Sequence, residues 1–379
     1  MKHQTRGFKI IAVILGIILF FQAILGIADY FLSPNIETYI NPASYEVEES
    51  SKSIEQMWTR NDISSFYFTK GGVMIDSTET DIYFLSRLAE ENPIQGISLI
   101  KFNLLTGEII WRTIRSARFR EPMATGLSAN SDQILVSFRG TTSISGETLN
   151  GAAKLKAYDI NGDILWSQLI GGARSITTMI TTDDTVSVNG SFSSNYYMFN
   201  VHNSELINVT PKDSGNFIWF IDGNVKYEQI EDFFIQAVDT TTDTIIWKNS
   251  VNELIYLPPI LSDNYIIIRT NAARFPGSVS ALNRETGEII WEHSKVLSNV
   301  VVDQQRVYFL TEDMQLIGAD IHTGDVLISA SFSPNEAVDS VNNVYQIAVE
   351  DGKVVIYFGG THQLSAYDFS AAEDTQSVP

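Results

Sequence analysis

The sequence predicts an all-β fold, a β-propeller of about seven four-stranded blades preceded by one transmembrane helix. One motif recurs along the chain with a mean period of about 44 residues, which is typical of propeller blades. Short runs rich in Val, Ile, Tyr, Phe, Trp and Thr favour strands. Hydrophobic residues make up 44% of the 379-residue chain and charged residues only 18%, which favours a packed core over disorder.

Three segments carry the clearest copies of the motif: residues 99–111 (LIKFNLLTGEIIW), 155–166 (LKAYDINGDILW) and 279–291 (VSALNRETGEIIW). Weaker copies end at Trp247 and Ile328. An Asp or Asn aligns in every copy, and we call these residues the anchor column: Asn103, Asp159, Asn200, Asp239, Asn283, Asp320 and Asp368.

The residues around each anchor predict a β-hairpin. An apolar residue stands four positions before the anchor and a mostly small one two positions before it, so both lie on one face of a strand. The anchor side chain is expected to hydrogen-bond the turn that follows. A glycine supplies the positive φ of that turn in four copies, and the returning strand then brings a Trp. The four glycines are Gly107, Gly162, Gly287 and Gly324.

Each hairpin is preceded by a further strand-like run, so each unit is a small sheet that must stack on its neighbours. Examples are residues 134–138, 265–269 and 307–310. The last copy ends at Asp368 without a Trp strand, whereas residues 53–58 end in an isolated Trp58. We therefore predict that the N-terminal strand closes the last blade, which also hides sheet edges. The alternative is an eighth blade within residues 60–95.

These segments resemble the PQQ-like β-propeller repeat, whose core is Ala-x-Asp-x-x-Thr-Gly-x-x-x-Trp. The resemblance covers roughly residues 53–369 and is closest at residues 103–111 and 283–291, where Asn replaces Asp. It implies that a Trp packs between adjacent blades, which makes five of the six tryptophans structural and leaves Trp219 unassigned. The structural set is Trp58, Trp111, Trp166, Trp247 and Trp291.

The resembled family contains quinoprotein dehydrogenases, which hold PQQ and calcium over the ring axis, and cofactor-free scaffolds such as the outer-membrane assembly lipoprotein. The dehydrogenases commonly carry a vicinal Cys pair and long decorating loops. This chain has no Cys and minimal units, so the resemblance implies the cofactor-free branch. A lipid-modified Cys is excluded as well.

The N-terminal segment predicts a membrane anchor. Lys2, Arg6 and Lys9 precede 19 uncharged residues, 10–28, which is close to the ~20 that a spanning helix needs. Acidic residues follow, so the positive-inside rule sends the rest of the chain out of the cytoplasm. Cleavage before Asp29 and secretion is the alternative. The predicted domains are 1–28, basic N-terminus and anchor; 29–50, tether; 51–369, propeller; 370–379, polar tail.

The net charge and the short motifs limit the functions that the sequence predicts. A net charge of −20 makes nucleic acid a poor partner. Asp159, Asn161 and Asp163 alternate like calcium ligands, but Asn161-Gly162 is also a strong hairpin signal and no bidentate Glu follows. None of the five histidines has metal-binding spacing. They are His3, His202, His293, His322 and His362.

No catalytic, cofactor-binding or metal-binding residue is predicted, and neither PQQ nor calcium is expected. Asn189-Gly-Ser and Asn208-Val-Thr fit the glycosylation pattern, which is common by chance. Two functions remain open. The first is a binding or scaffold module for protein or other partners, held outside the membrane. The second is an extracytoplasmic oxidoreductase, or another enzyme, with a site at the propeller axis.

Overall fold

The computed structural model of the protein is all-β. The chain divides into two units, residues 1–50 and 51–379. The described residues all lie in the second unit, and they are 55–60, 63–64, 73–75, 81–88, 98–113, 124–129, 132–138, 153–171, 173, 176–181, 184–190, 195–211, 216–230, 233–251, 255, 259–262, 264–270, 276–303, 305–332, 345–350, 352–358 and 363–369. Among these residues there is no helix of the length and apolar character that crossing a membrane requires. The predicted anchor at 10–28 lies outside the described residues.

The described strands form seven antiparallel sheets, which are the blades of a seven-bladed propeller. The first strand, β1 (Glu55–Arg60), belongs to the last blade. Blade 1 holds β2 (Ile63–Ser64), β3 (Val73–Ile75), β4 (Asp81–Leu88), β5 (Ser98–Asn103) and β6 (Ile109–Thr113). Blade 2 holds β7 (Ala124–Ala129), β8 (Gln133–Phe138), β9 (Ala153–Asp159) and β10 (Ile164–Ile170). Blade 3 holds β11 (Ile176–Thr181), β12 (Thr185–Gly190), β13 (Asn195–Asn200) and β14 (Leu206–Pro211).

The remaining blades follow the same order of strands. Blade 4 holds β15 (Asn216–Asp222), β16 (Val225–Ile230), β17 (Phe234–Asp239) and β18 (Thr244–Ser250). Blade 5 holds β19 (Ile260–Leu261), β20 (Tyr265–Arg269), β21 (Gly277–Asn283) and β22 (Ile289–Val296). Blade 6 holds β23 (Val301–Asp303), β24 (Arg306–Leu310), β25 (Gln315–Asp320) and β26 (Val326–Ser331). Blade 7 holds β27 (Tyr345–Glu350), β28 (Lys353–Phe358) and β29 (Gln363–Asp368) together with β1.

The core lies between the blades. The middle strands β20, β24 and β28 are buried at nearly every position, because a neighbouring blade covers each face of their sheet. This explains their near-continuous apolar runs, since a strand buried on both faces needs no polar side. Six apolar clusters stand between blades 1 and 2, 2 and 3, 4 and 5, 5 and 6, 6 and 7, and 7 and 1.

The anchor column organises the turns as predicted. Asn103 Oδ1 accepts hydrogen bonds from the backbone N–H groups of Leu105 and Thr106, both at 2.9 Å. Asp239 and Asp320 accept the same pair of bonds from the residues two and three positions later. These bonds satisfy backbone donors within the turn and fix its conformation. The four predicted glycines all have φ between 70° and 88°.

One position on the outer strand of each blade aligns in all seven blades and is Trp in five of them, and we call it the Trp column. The tryptophans in it fasten neighbouring blades together. Each Trp packs on the next blade, and its indole N–H donates to the carbonyl oxygen one residue after that blade's anchor. We call this contact the indole clasp. The five bonds span 2.7–2.9 Å: Trp58 to Leu104, Trp111 to Ile160, Trp166 to Val201, Trp247 to Arg284 and Trp291 to Ile321. The interpretation of these tryptophans as structural is confirmed. Trp219 lies on β15 and is buried in the cluster between blades 4 and 5.

The turn glycines make room for the clasps. A Cβ placed on Gly107 would lie 2.6 Å from the Trp58 ring, and one on Gly324 would lie 2.6 Å from Trp291. At blade 4 this position is Asp243, which adopts φ 55° without being glycine. The preceding blade has Asn208 in the Trp column there, so no indole crowds the Asp243 side chain. At Gly107 and Gly324 glycine thus accommodates both the indole and the positive φ, whereas the turn that receives Trp166 has Ser204 there at φ 60°.

Ring closure follows the prediction. β1 pairs with β29, with Glu55 opposite Asp368 and Trp58 opposite Ala366. The Thr59 and Ser365 hydroxyls are hydrogen-bonded at 2.7 Å across this junction. The alternative of an eighth blade within residues 60–95 is wrong, because β2, β3 and β4 all pair within blade 1.

We expect Trp58→Ala to destabilise the ring about as much as Trp291→Ala. Both changes remove a clasp, and truncating a buried aromatic costs ~3–5 kcal/mol, somewhat less where the ring is half-buried. Thermal melting of the two variants tests this, with exposed Leu105→Ala as the control. If Trp58→Ala melted at the wild-type temperature while Trp291→Ala had a lower Tm, β1 would not contribute to the stability of the ring.

The anchor aspartates predict acid sensitivity. Partial burial alone would raise the pKa of Asp159 and Asp320, but hydrogen bonds from turn N–H groups outweigh it and lower the pKa below 3.8. The Thr241 hydroxyl and the turn N–H groups lower the pKa of Asp239. A folded-state pKa below the unfolded one stabilises above the unfolded pKa, and that stabilisation is lost as the pH falls through the folded pKa.

Asn fills the same role at Asn103 and Asn283 without titrating. The triple variant Asp159→Asn, Asp239→Asn, Asp320→Asn should therefore keep its Tm at neutral pH and lose less of it than wild type below about pH 4. Melting curves over that range provide the measurement, with exposed Asp313→Asn as the control. Parallel Tm profiles of wild type and the triple variant would contradict the assignment.

Candidate interaction surface

The histidines with described positions lie apart and serve local packing. His293 sits edge-on to Trp291, 5.6 Å between ring centroids, and its Nε2 lies 2.7 Å from the Gly324 carbonyl. His322 contacts the Tyr265 hydroxyl at 3.1 Å, and His202 lies 3.8 Å from Asp184. His3 and His362 fall outside the described residues. Within the part of the chain that is described, no group of three or more His, Asp or Glu side chains could hold a metal ion.

The Asp159 segment forms a hairpin turn. The backbone N–H groups of Asn161 and Asp163 donate to Asp159 Oδ1 at 2.9 and 2.8 Å, and Gly162 has φ 88°. The anchor carboxylate is thus engaged by the turn that follows it. Of the two glycosylation-type triplets, Asn189 is fully buried, whereas Asn208 is exposed on β14.

A β-bulge recurs in the outer strand of every blade. In blade 4, Ala237 pairs with Trp247 and Val238 with Ile245, which leaves Ile246 without a partner in the ladder. The other six blades show the same register shift one residue before the Trp column. We call these residues the bulge column: Met57, Ile110, Leu165, Ile207, Ile246, Ile290 and Leu327.

The bulge decides which way the side chains face. An extra residue re-aims its neighbours, so the Trp turns towards the next blade while the bulge residue points outward. In blades 1–6 the bulge-column side chains are 37–51% exposed, although every one is Ile or Leu. The residue before the bulge is equally exposed in five of these blades, with Ile245 at 58%.

The outer wall of the ring therefore carries apolar side chains at the same level on six consecutive blades. Scattered exposed apolar residues are ordinary on a protein surface, but a set repeated beside open sheet edges makes this wall a candidate interaction surface. We call this set, the bulge column with the residues before it, the outer rim. The sign of it in the sequence is the apolar pair before the Trp in blades 1, 2, 4 and 5, as in Ile289-Ile290-Trp291.

Comparison with known proteins returned one family model. Residues 231–373 match the model described as "Outer membrane protein assembly factor BamB". No curated protein matches the sequence. The solved structure of BamB from Moraxella catarrhalis is similar at 14% identity and a TM-score of 0.49, over 84% of this chain and 98% of that one.

A second solved structure, "KlHsv2 with loop 6CD replaced by a Gly-Ser linker", is similar at 9% identity and a TM-score of 0.49, over 78% of this chain and 91% of that one. The family match, confined to residues 231–373, agrees with the repeated anchors, turns and clasps seen around the ring. The family match therefore covers the part of the chain that forms the later blades, from β17 in blade 4 to β29 in blade 7.

Proposed function

We propose that this protein is a membrane-anchored, extracytoplasmic scaffold that binds protein partners through the outer rim. The observation that carries the proposal is the bulge column, which turns one Ile or Leu outward on each of blades 1–6. Burying such side chains against a partner is favourable by about 25 cal/mol per Å² of apolar surface. A repeated column gives neighbouring blades equivalent contacts, which suits an extended or multi-segment partner.

The family match supports a scaffold role, because it is to a model named for an outer membrane assembly factor. The basic, apolar and acidic order of residues 1–50 supports an anchored chain with the propeller outside the cytoplasm. The net charge of −20 favours partners that are neutral or basic at the contact.

An oxidoreductase with a site over the ring axis is the competing function, and the same fold hosts both. Addition of PQQ and Ca²⁺ to the purified full-length chain separates them. We expect the absorbance of the mixture to equal the sum of its parts and the Tm to stay unchanged, because a ligand that binds only the folded state would raise the Tm. A saturable rise in Tm with PQQ would favour the enzyme.

Site-specific crosslinking in the native host tests the outer rim directly. A photoreactive residue at Ile246 or Ile290 should give crosslinks to the same protein partner, because both positions occupy the same place on adjacent blades. The same residue at Thr241 or Glu285, which are exposed in the turns of those two blades, serves as the control.

A second variant distinguishes binding from chance proximity. Ile290→Lys places a charge on the outer rim at an exposed position, so the Tm should change little. It should abolish the crosslink from Ile246. Equal crosslinking from rim and turn positions, or a crosslink that survives Ile290→Lys, would refute binding through the outer rim.

A further inference from the structure

The interface between blades 3 and 4 differs from the other six. No apolar cluster of the described residues joins these two blades, although each of them shares one with its other neighbour. It also lacks a clasp, because Asn208 occupies the Trp column and Asp243 the glycine position of the turn opposite. The interface between blades 6 and 7 lacks a Trp too, but Ile328 fills the place within an apolar cluster.

Polar side chains face this interface from both sides, beside the buried Tyr196 of blade 3 and Val238 of blade 4. On β12, Val186 and Val188 pack towards blade 2, so Ser187 and Asn189 point towards blade 4. Tyr196 is paired with Asn189 on the neighbouring strand. Burial raises the pKa of the Tyr196 hydroxyl to about 12, and hydrogen bonds with the Ser187 side chain and the Ile221 backbone partly offset this rise.

Blade 4 contributes charge. Tyr227 and Ala237 pack towards blade 5, so Lys226, Glu228 and Gln236 face blade 3. Glu228 is 3% exposed, and its carboxylate lies 3.1 Å from Lys226 Nζ and accepts a 2.7 Å hydrogen bond from Gln236 Nε2. Gln236 Oε1 is buried with no hydrogen-bond partner among the described residues. Asn189 reaches across to donate to the Ile218 carbonyl.

We infer that the ring opens at this polar seam, between blades 3 and 4, while the other six interfaces stay closed. Separating blades at an apolar cluster exposes hydrocarbon to water, which is costly. Separating them here lets water solvate Glu228, Lys226 and Gln236, whose mutual contacts lie within blade 4 and are kept. The bond from Asn189 to the Ile218 carbonyl is lost, and bonds to water largely replace it. No indole has to leave a socket, because the clasp is absent. The seam is therefore the interface that opens at the lowest cost in free energy.

The absence of cysteine allows a direct measurement on the full-length chain in detergent. Ser187→Cys places a thiol inside the seam. Ser137→Cys is the matched control, because Ser137 is a buried serine on the second strand of blade 2 and faces blade 3 across an apolar interface. Ser280→Cys, on the blade 5 face that packs on blade 4, is a second control.

We expect maleimide to label Ser187→Cys about tenfold faster than either control under native conditions, with the Tm of all three variants near that of wild type. Equal labelling rates would overturn the inference. If Ser187→Cys does not fold, Met198→Cys, paired opposite Ser187 on β13, takes its place.

A closing variant separates seam opening from simple exposure. Asn208→Trp together with Asp243→Gly introduces the indole that five other interfaces have and the glycine that four of them have. In the fifth, the turn opposite Trp166, the glycine position is Ser204. Adding this pair should slow labelling of Ser187→Cys to the control rate and raise the Tm, whereas Asp243→Gly alone should do neither. Labelling that stays fast with the clasp restored would show that the seam does not gate access.

Discussion

The indole clasp is the interaction on which the ring depends. It joins an outer strand to the turn of the next blade through one hydrogen bond of 2.7–2.9 Å and one buried aromatic face. A hydrogen bond of this kind contributes about 1 kcal/mol and the aromatic burial about 1.5–3 kcal/mol. The clasp constrains three other features at once: the turn must expose a free carbonyl, its last residue must leave space for the ring, and the outer strand must bulge to aim the Trp.

Local hydrogen bonding explains why so much of this fold could be predicted from sequence. An anchor such as Asn103 or Asp320 satisfies donors within three residues of itself, so its signature is short and contiguous. The closing strand was predictable for a related reason, because Trp58 lacked an anchor and Asp368 lacked a Trp. Both inferences needed only the repeat and the requirement that sheet edges be paired.

Features set by register or by contact between blades could not be predicted in the same way. The short innermost strands β19 and β23 have two and three residues, too few for a periodic pattern. The side chains of Ile246 and Ile290 point outward because of a β-bulge, and no single residue type predicts a bulge. The polar seam is visible only when blades 3 and 4 are placed side by side, since Ser187 and Glu228 are 41 positions apart.

The position of the weakest interface has a physical logic of its own. Blade 7 is built from both ends of the propeller, so losing its contacts would release β1 and leave a sheet edge open. That junction is accordingly reinforced by Trp58, by Arg60 donating to the Gly107 carbonyl at 2.9 Å and by the Thr59–Ser365 pair. Blades 3 and 4 are instead consecutive in the chain: the last strand of blade 3 ends at Pro211 and the first strand of blade 4 begins at Asn216. A short covalent link limits how far the blades can separate, so the ring tolerates a polar interface there at less risk than at its closing blade.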